Sequence, residues 1–110
     1  MSFQDFKWSP TEKKISRAAF DKAFDNEMAE LKKILQEKIS QISSNEDVWA
    51  LHDYLTERRR WIVEKYDYRY SQLIRVFGIL LSEGYLPEDD IKGLAEDKVE
   101  LIKRFAKEFK

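Results

Sequence analysis

Apolar residues recur at intervals of three, four and seven along most of this chain. Between Thr11 and about Ile42, Phe20, Phe24, Met28, Leu31, Leu35 and Ile42 fall on one stripe. Lys13, Lys14, Asp21, Lys22, Glu30, Lys32, Lys33 and Glu37 cover the other faces. That period predicts an amphipathic helix. SPTE at 9–12 starts it, with Ser9 as cap, Pro10 at the first helical position and Glu12 reaching back to close a capping box. Phe3, Phe6 and Trp8 ahead of it form an aromatic tail that can staple onto the helix or onto a partner. SSNED at 43–47 ends the pattern and restarts it, with Ser43 or Ser44 as cap and acids in the new first turn. The second long helix carries Val48, Leu51, Leu55, Ile62, Tyr66, Leu73, Val76, Phe77 and Leu80, and ends at Gly84. Arg58 and Arg69 interrupt its stripe, and KYDYRY at 65–70 signals a bend or a change of neighbours. YLPEDD then starts a short helical turn after Pro87, and Gly93 separates it from a last helix over about 95–108, with Val99, Ile102, Phe105 and Phe109 as apolar positions.

Three glycines and two prolines in 110 residues leave little turn material for a β-fold. The reading is all-α: two long amphipathic helices plus a small C-terminal helical cap, forming one domain over residues 1–110. A helix of about 30 residues is near 45 Å long and needs an equally long partner. An elongated monomer of this size covers its apolar flanks poorly, so a two-fold homodimer is expected.

Charge narrows the function classes. Lys+Arg total 20 and Asp+Glu 21, for a net charge of -1. A duplex binder neutralises phosphates with a basic excess, and this chain has none. With no cysteine, disulfides and thiolate metal sites are excluded. No apolar run reaches the roughly 18 residues that cross a bilayer, and MSFQDFKWSP carries no signal-peptide core. The expectation is a cytoplasmic protein that binds no nucleic acid, inserts in no membrane and needs no cofactor.

The densest chemistry lies in VWALHDYLTERRRW, residues 48–61, which holds the chain's one histidine beside an aspartate, two tryptophans and three arginines. At 100° per residue, Val48, Leu51, Leu55 and Ile62 form an apolar seam. Trp49, Asp53, Thr56 and Arg60 share a neighbouring flank, with His52 and Arg59 on the border. Neighbours on a helix diverge by 100°, so Asp53 is poorly placed to orient His52 as a general base. No second histidine, nucleophile motif or glycine-rich phosphate loop accompanies them, so neither a catalytic nor a metal site is assigned. Half-buried packing residues beside a solvated arginine face are the bland alternative. Trp and Arg are the residue types most enriched at binding hot spots. An interface is the better reading, with Asp53 of one chain able to meet Arg59 or Arg60 of another.

These residues also carry a resemblance. Asp47, Val48, Trp49, Leu51, His52, Asp53, Leu55 and Arg59 match a pattern D-V-W-x-L-H-D-φ-L-x-x-x-R, and Lys65, Tyr66, Asp67 and Arg69 match K-Y-D-x-R. Trp8, Ser9 and Glu12 fit W-S-x-x-E, and Gly93, Leu94, Asp97 and Lys98 fit G-L-x-x-D-K. Together they resemble the fluorescence recovery protein family of cyanobacterial photoprotection, over nearly the whole chain. The resemblance implies a helical homodimer that is not an enzyme. It implies binding to the C-terminal domain of the photoactivated orange carotenoid protein, release of that protein from the phycobilisome antenna and faster return from red to orange, ending non-photochemical quenching. It places Trp49, His52, Asp53 and Arg59, with Arg60, in partner binding or at the dimer interface, beside a dimer seam of Val48, Leu51 and Leu55. Lys98 is a further candidate in the cap. The location implied is cytoplasmic, at thylakoid-attached phycobilisomes. Arg75 departs from the aromatic usual in the family and Glu64 from a common glycine. The alternative is therefore a dimeric helical adaptor of the same family serving a different protein client.

Overall fold

The structure, a computed structural model, describes residues 6–109. Four α-helices follow in order: α1 (Pro10–Ser40), α2 (Asn45–Lys65), α3 (Leu73–Glu83) and α4 (Glu96–Glu108), with a 3-10 turn at Glu88–Ile91 before α4. Phe3 of the expected aromatic tail lies outside the described residues. Both predicted helix starts are capping boxes. Ser9 Oγ accepts from the Glu12 N–H at 3.1 Å while Glu12 Oε1 accepts from the Ser9 N–H at 3.0 Å. Ser44 pairs with Asp47 in the same way at the head of α2. The N–H groups of Ser43 and Ser44 and the Ser43 hydroxyl hold the Asp47 carboxyl below its usual range. Gly84 closes α3 at φ 86°, a left-handed cap that other residues adopt only with strain.

The expected second long helix is not continuous. It stops at Lys65 and resumes as α3 at Leu73. The reason is written in Tyr66-Asp67-Tyr68-Arg69-Tyr70, where aromatic and charged residues alternate with a period of two, which suits an extended run and not a helix. All three tyrosines turn onto the N-terminal half of α1. Tyr66 meets Phe24 and Phe20 edge-on at 5.2 and 5.3 Å, Tyr68 meets Phe20 at 4.9 Å, and Tyr70 meets Trp8 at 5.6 Å. Asp67 and Arg69, on the other side, bond to each other, with Arg69 Nε 2.8 Å from Asp67 Oδ1. The long partner expected for α1 is thus composite. α2 runs back along its C-terminal half, with Lys38 over the Tyr54 ring and Arg58 bonded to Glu27, and the tyrosine segment continues toward its start.

The main core sits at that end, where α3, α4 and the 3-10 turn close over α1. Trp8, Ala19, Phe20, Ala23, Leu73, Ile74, Val76, Phe77, Leu80, Leu86, Ile91, Leu94 and Ile102 form it. Gly78 lets α4 approach α3, since a Cβ there would stand 2.9 Å from Cβ and Cδ1 of Phe105. The buried face of α1 also differs from the apolar stripe. Glu12, Ser16, Ala19, Phe20, Ala23, Glu27 and Leu31 are buried, while Phe24 is exposed. Tyr66 at the edge of Phe24 and the charged partners of Glu12 and Glu27 account for the rotation of that face.

Candidate interaction surface

The sequence of α2 divides its surface into two arcs. Leu51, Tyr54, Arg58, Ile62 and Lys65 lie within about 80° of one another and face α1. Of these, Ile62 and Lys65 are buried and the other three partly so. Val48, His52, Leu55, Arg59 and Val63 occupy a second arc of about 80°, and all five are exposed. The expected seam of Val48, Leu51 and Leu55 is therefore split. Leu51 packs inward at the hairpin tip, beside Lys38, Ile42 and Tyr54. Val48 and Leu55 remain open to solvent.

Trp49 is 67 % exposed, an unusual state for the largest apolar side chain unless it serves an interface. Its ring meets His52 edge-on with centroids 6.4 Å apart. Asp53 is close to His52 all the same, with their Oδ1 and Nδ1 atoms 3.4 Å apart. Both side chains lie over the helix surface, 68 % and 81 % exposed, and so reach each other. A contact this long, in open solvent, sets no tautomer and builds no general base.

The three consecutive arginines have three fates. Arg58 turns inward to Glu27 at 2.8 Å. Arg60 bonds to Glu57 on its own helix at 3.1 Å. Arg59 is exposed and has no ion pair among the described residues, which leaves its guanidinium available. With Thr56, Arg60, Val63 and Glu64 it lines a shallow cleft. Trp49, His52, Asp53, Arg59 and Arg60 thus share one solvent-facing side of α2, around Val48 and Leu55.

Lys98 does not join them. It is buried near the start of α4, and its ammonium donates to the Lys7 carbonyl at 2.7 Å and to Glu12 Oε2 at 2.9 Å, beneath the rings of Trp8 and Phe6. A surface role for Lys98 is corrected to a structural one. Burial alone would raise the Glu12 carboxyl, but the N–H groups of Ser9 and Ala95 and the Lys98 ammonium outweigh it and hold the pKa at about 2.

A second buried cluster was missing from the sequence reading. Glu27 accepts from Arg58, from Lys65 Nζ at 2.6 Å and from the Tyr66 hydroxyl at 2.8 Å. Lys65 continues to Glu83 on α3 at 2.6 Å, and Trp61 Nε1 donates to the same carboxylate at 3.4 Å. Burial and the bond to Glu27 drive the Tyr66 hydroxyl far above its usual pKa. The signal was present. Arg58 and Lys65 sit on the inward stripe of α2 at helical spacing, opposite Glu27 on the inward stripe of α1.

Among the described residues, no group of His, Asp or Glu side chains is arranged to hold a metal ion. No helix among them is long and apolar enough to cross a membrane. What the fold presents is an all-helical binding protein, with a capped end and an open helical face. The profile of the photoprotection regulator fluorescence recovery protein family matches residues 8–106, and the chain belongs to that family, whose members are non-enzymatic regulators of photoprotection. The fluorescence recovery protein of Synechocystis sp. (strain ATCC 27184 / PCC 6803 / Kazusa) is 40% identical over 100 residues, covering 91% of this chain and 92% of that one. The solved structure of the Fremyella diplosiphon fluorescence recovery protein is 40% identical, with a TM-score of 0.86 over 92% of this chain and 99% of that one. The Synechocystis sp PCC 6803 structure matches at 40% identity and a TM-score of 0.87, over the same shares.

Proposed function

We propose that two copies of this chain, each acting as one domain, pair through the outward arc of α2. The dimer then binds the C-terminal domain of the photoactivated orange carotenoid protein, promotes its release from the phycobilisome and accelerates its return from red to orange. The observation that carries this reading is the open strip of α2. Val48 and Leu55 supply apolar area, Trp49 supplies an exposed ring, and Arg59 supplies a guanidinium with no ion pair among the described residues. In an antiparallel pair Asp53 of one copy meets Arg59 or Arg60 of the other. Membership of the photoprotection family supports this choice of client. The working place is the cytoplasm, at thylakoid-attached phycobilisomes.

Regulation of this kind needs no chemistry. A binder that favours the resting-like conformation by about 2–3 kcal/mol shifts populations or rates about 30- to 150-fold. The test is orange recovery in the dark after blue illumination, with and without this protein. Acceleration at stoichiometric amounts is expected, and its loss in Trp49→Ala and Arg59→Ala. No acceleration by the natural chain rejects the activity. Unchanged dimerisation and client binding in both variants reject the site.

Arg75 favours a second reading, an adaptor of the same fold for a different protein client. It sets a charge on α3, with Nε donating to Gln72 Oε1 at 3.1 Å, where the family resemblance leads one to expect an aromatic. Recovery without acceleration, together with a stable dimer, selects this reading.

A further inference from the structure

α2 carries the open strip, yet little apolar surface binds it to the rest of its own chain. Ile62 is its one buried apolar residue, and the other buried residue is Lys65. The second half of its inward arc is written in charge. Glu27, 1 % exposed, gathers Arg58, Lys65 and the Tyr66 hydroxyl onto one carboxylate. Lys65, also 1 % exposed, passes the connection to Glu83 at the end of α3 and is ringed by Trp61, Tyr66 and Tyr85, each centroid 5.3–5.4 Å from its ammonium. Two acids meet two bases here, so the cluster is balanced only while every member is present.

We propose that this cluster positions α2: Glu27, Arg58 and Lys65 hold the recognition helix in register with α1 and α3 and thereby fix where Trp49 and Arg59 stand. The functional half rests on the reading of α2 as the recognition helix. A buried charge that loses its partner is strongly disfavoured, so the cluster locks as a unit. An apolar seam would let α2 slide or roll with little penalty, whereas three donors converging on one carboxylate define a single register. The composition of the inward arc fits that division, with Leu51 and Tyr54 toward the tip and Arg58 and Lys65 toward the tyrosine segment.

The experiment is amide hydrogen exchange on the full chain, comparing the natural protein with Lys65→Met, Glu27→Gln and the double variant. The expected result is exchange at least about tenfold faster in residues 51–65, with α3 and α4 within about twofold of the natural protein, since helices open as separate units. The double variant should exchange no faster than the faster single variant, because one locked unit is lost once. Unchanged exchange in α2, or equal acceleration in every helix, overturns the positioning role. Dark recovery provides the second arm. With α2 ordered only part of the time, the half-saturating concentration of this protein should rise while the rate at saturation is kept. Selective loosening of α2 with an unchanged recovery curve overturns the reading of α2 as the recognition helix. Glu27→Gln keeps the size and shape of the side chain while removing its charge and one acceptor, so it remains informative if Lys65→Met does not fold.

Discussion

Two buried lysines, Lys65 and Lys98, show how much a single charged side chain can mean here. Each is a base on one helix claimed by an acid on another, so its sequence neighbours describe it poorly. Lys98 binds the carboxylate that also closes the capping box of α1, so one residue, Glu12, ties the start of α1 to the start of α4. Its pKa of about 2, against an ordinary 4.5, makes that tie dependent on pH. The contribution is complete above about pH 4.5 and fades as pH falls toward 2, because between those values the unfolded carboxyl binds a proton that the native carboxyl does not. The stability gap between the natural chain and Glu12→Gln, from urea unfolding at several pH values, should therefore narrow below pH 4.5 and be level above it. At the opposite extreme, Trp49 is so exposed within its own chain that Trp49→Ala, added to the unpaired Leu55→Glu chain, should change stability by less than about 0.5 kcal/mol. A larger loss in unfolding experiments would mean that the ring packs within its own chain.

The element with the most to teach is the segment that is not a helix. The tyrosines at 66, 68 and 70 are apolar enough to extend a helical stripe on paper, which is why the second helix reads as continuous to Gly84. Their alternation with Asp67 and Arg69 marks the break. Tyr68 is the middle of the run, edge-on to Phe20 and beneath the Arg17 guanidinium at 4.7 Å, and its hydroxyl is pushed up to about 12 by burial and by Tyr70. Tyr68→Ala should cost about 1–2 kcal/mol, the aromatic pairing plus lost burial, in chemical denaturation. α3 and α4 depend on closeness instead. Gly78→Ala puts a methyl group into Phe105 and should cost about 1–3 kcal/mol by overpacking, which a lowered denaturation midpoint would show.

At the scale of the molecule, the 53 × 24 × 23 Å shape follows from placing most of the core at one end of a 31-residue helix. The other end is a two-helix hairpin with a wet outer face. Two helices alone bury too little to stand in water, which is the physical ground for a second copy. Leu55→Glu puts a charge into the proposed seam while leaving the α1-facing arc intact. It should convert a dimer into a 13.2 kDa species in sedimentation, with helical circular dichroism unchanged. A dimer that survives this change would move the pairing surface away from α2.

The sequence by itself determined the helical class, the Ser9–Glu12 capping box, a serine cap for α2, the glycine stop at 84, the terminal helix and the family, because these depend on residues within a turn or two of each other or on an ordered set of motif positions. A helical wheel also grouped Trp49, Asp53 and Arg60 on one flank of α2, but it joined Val48 and Leu55 to Leu51 and Ile62, which the fold turns inward. Only the tertiary structure decided which charges are interior. Glu27 and Arg58 are 31 positions apart, and Glu12 and Lys98 are 86 apart. Side by side in sequence, Arg58, Arg59 and Arg60 look alike; one is a half-buried anchor, one has no ion pair among the described residues and one bonds to its own helix. Periodicity reports the angle at which a residue leaves its helix, but not whether the space there holds solvent, a partner or a carboxylate from elsewhere in the chain.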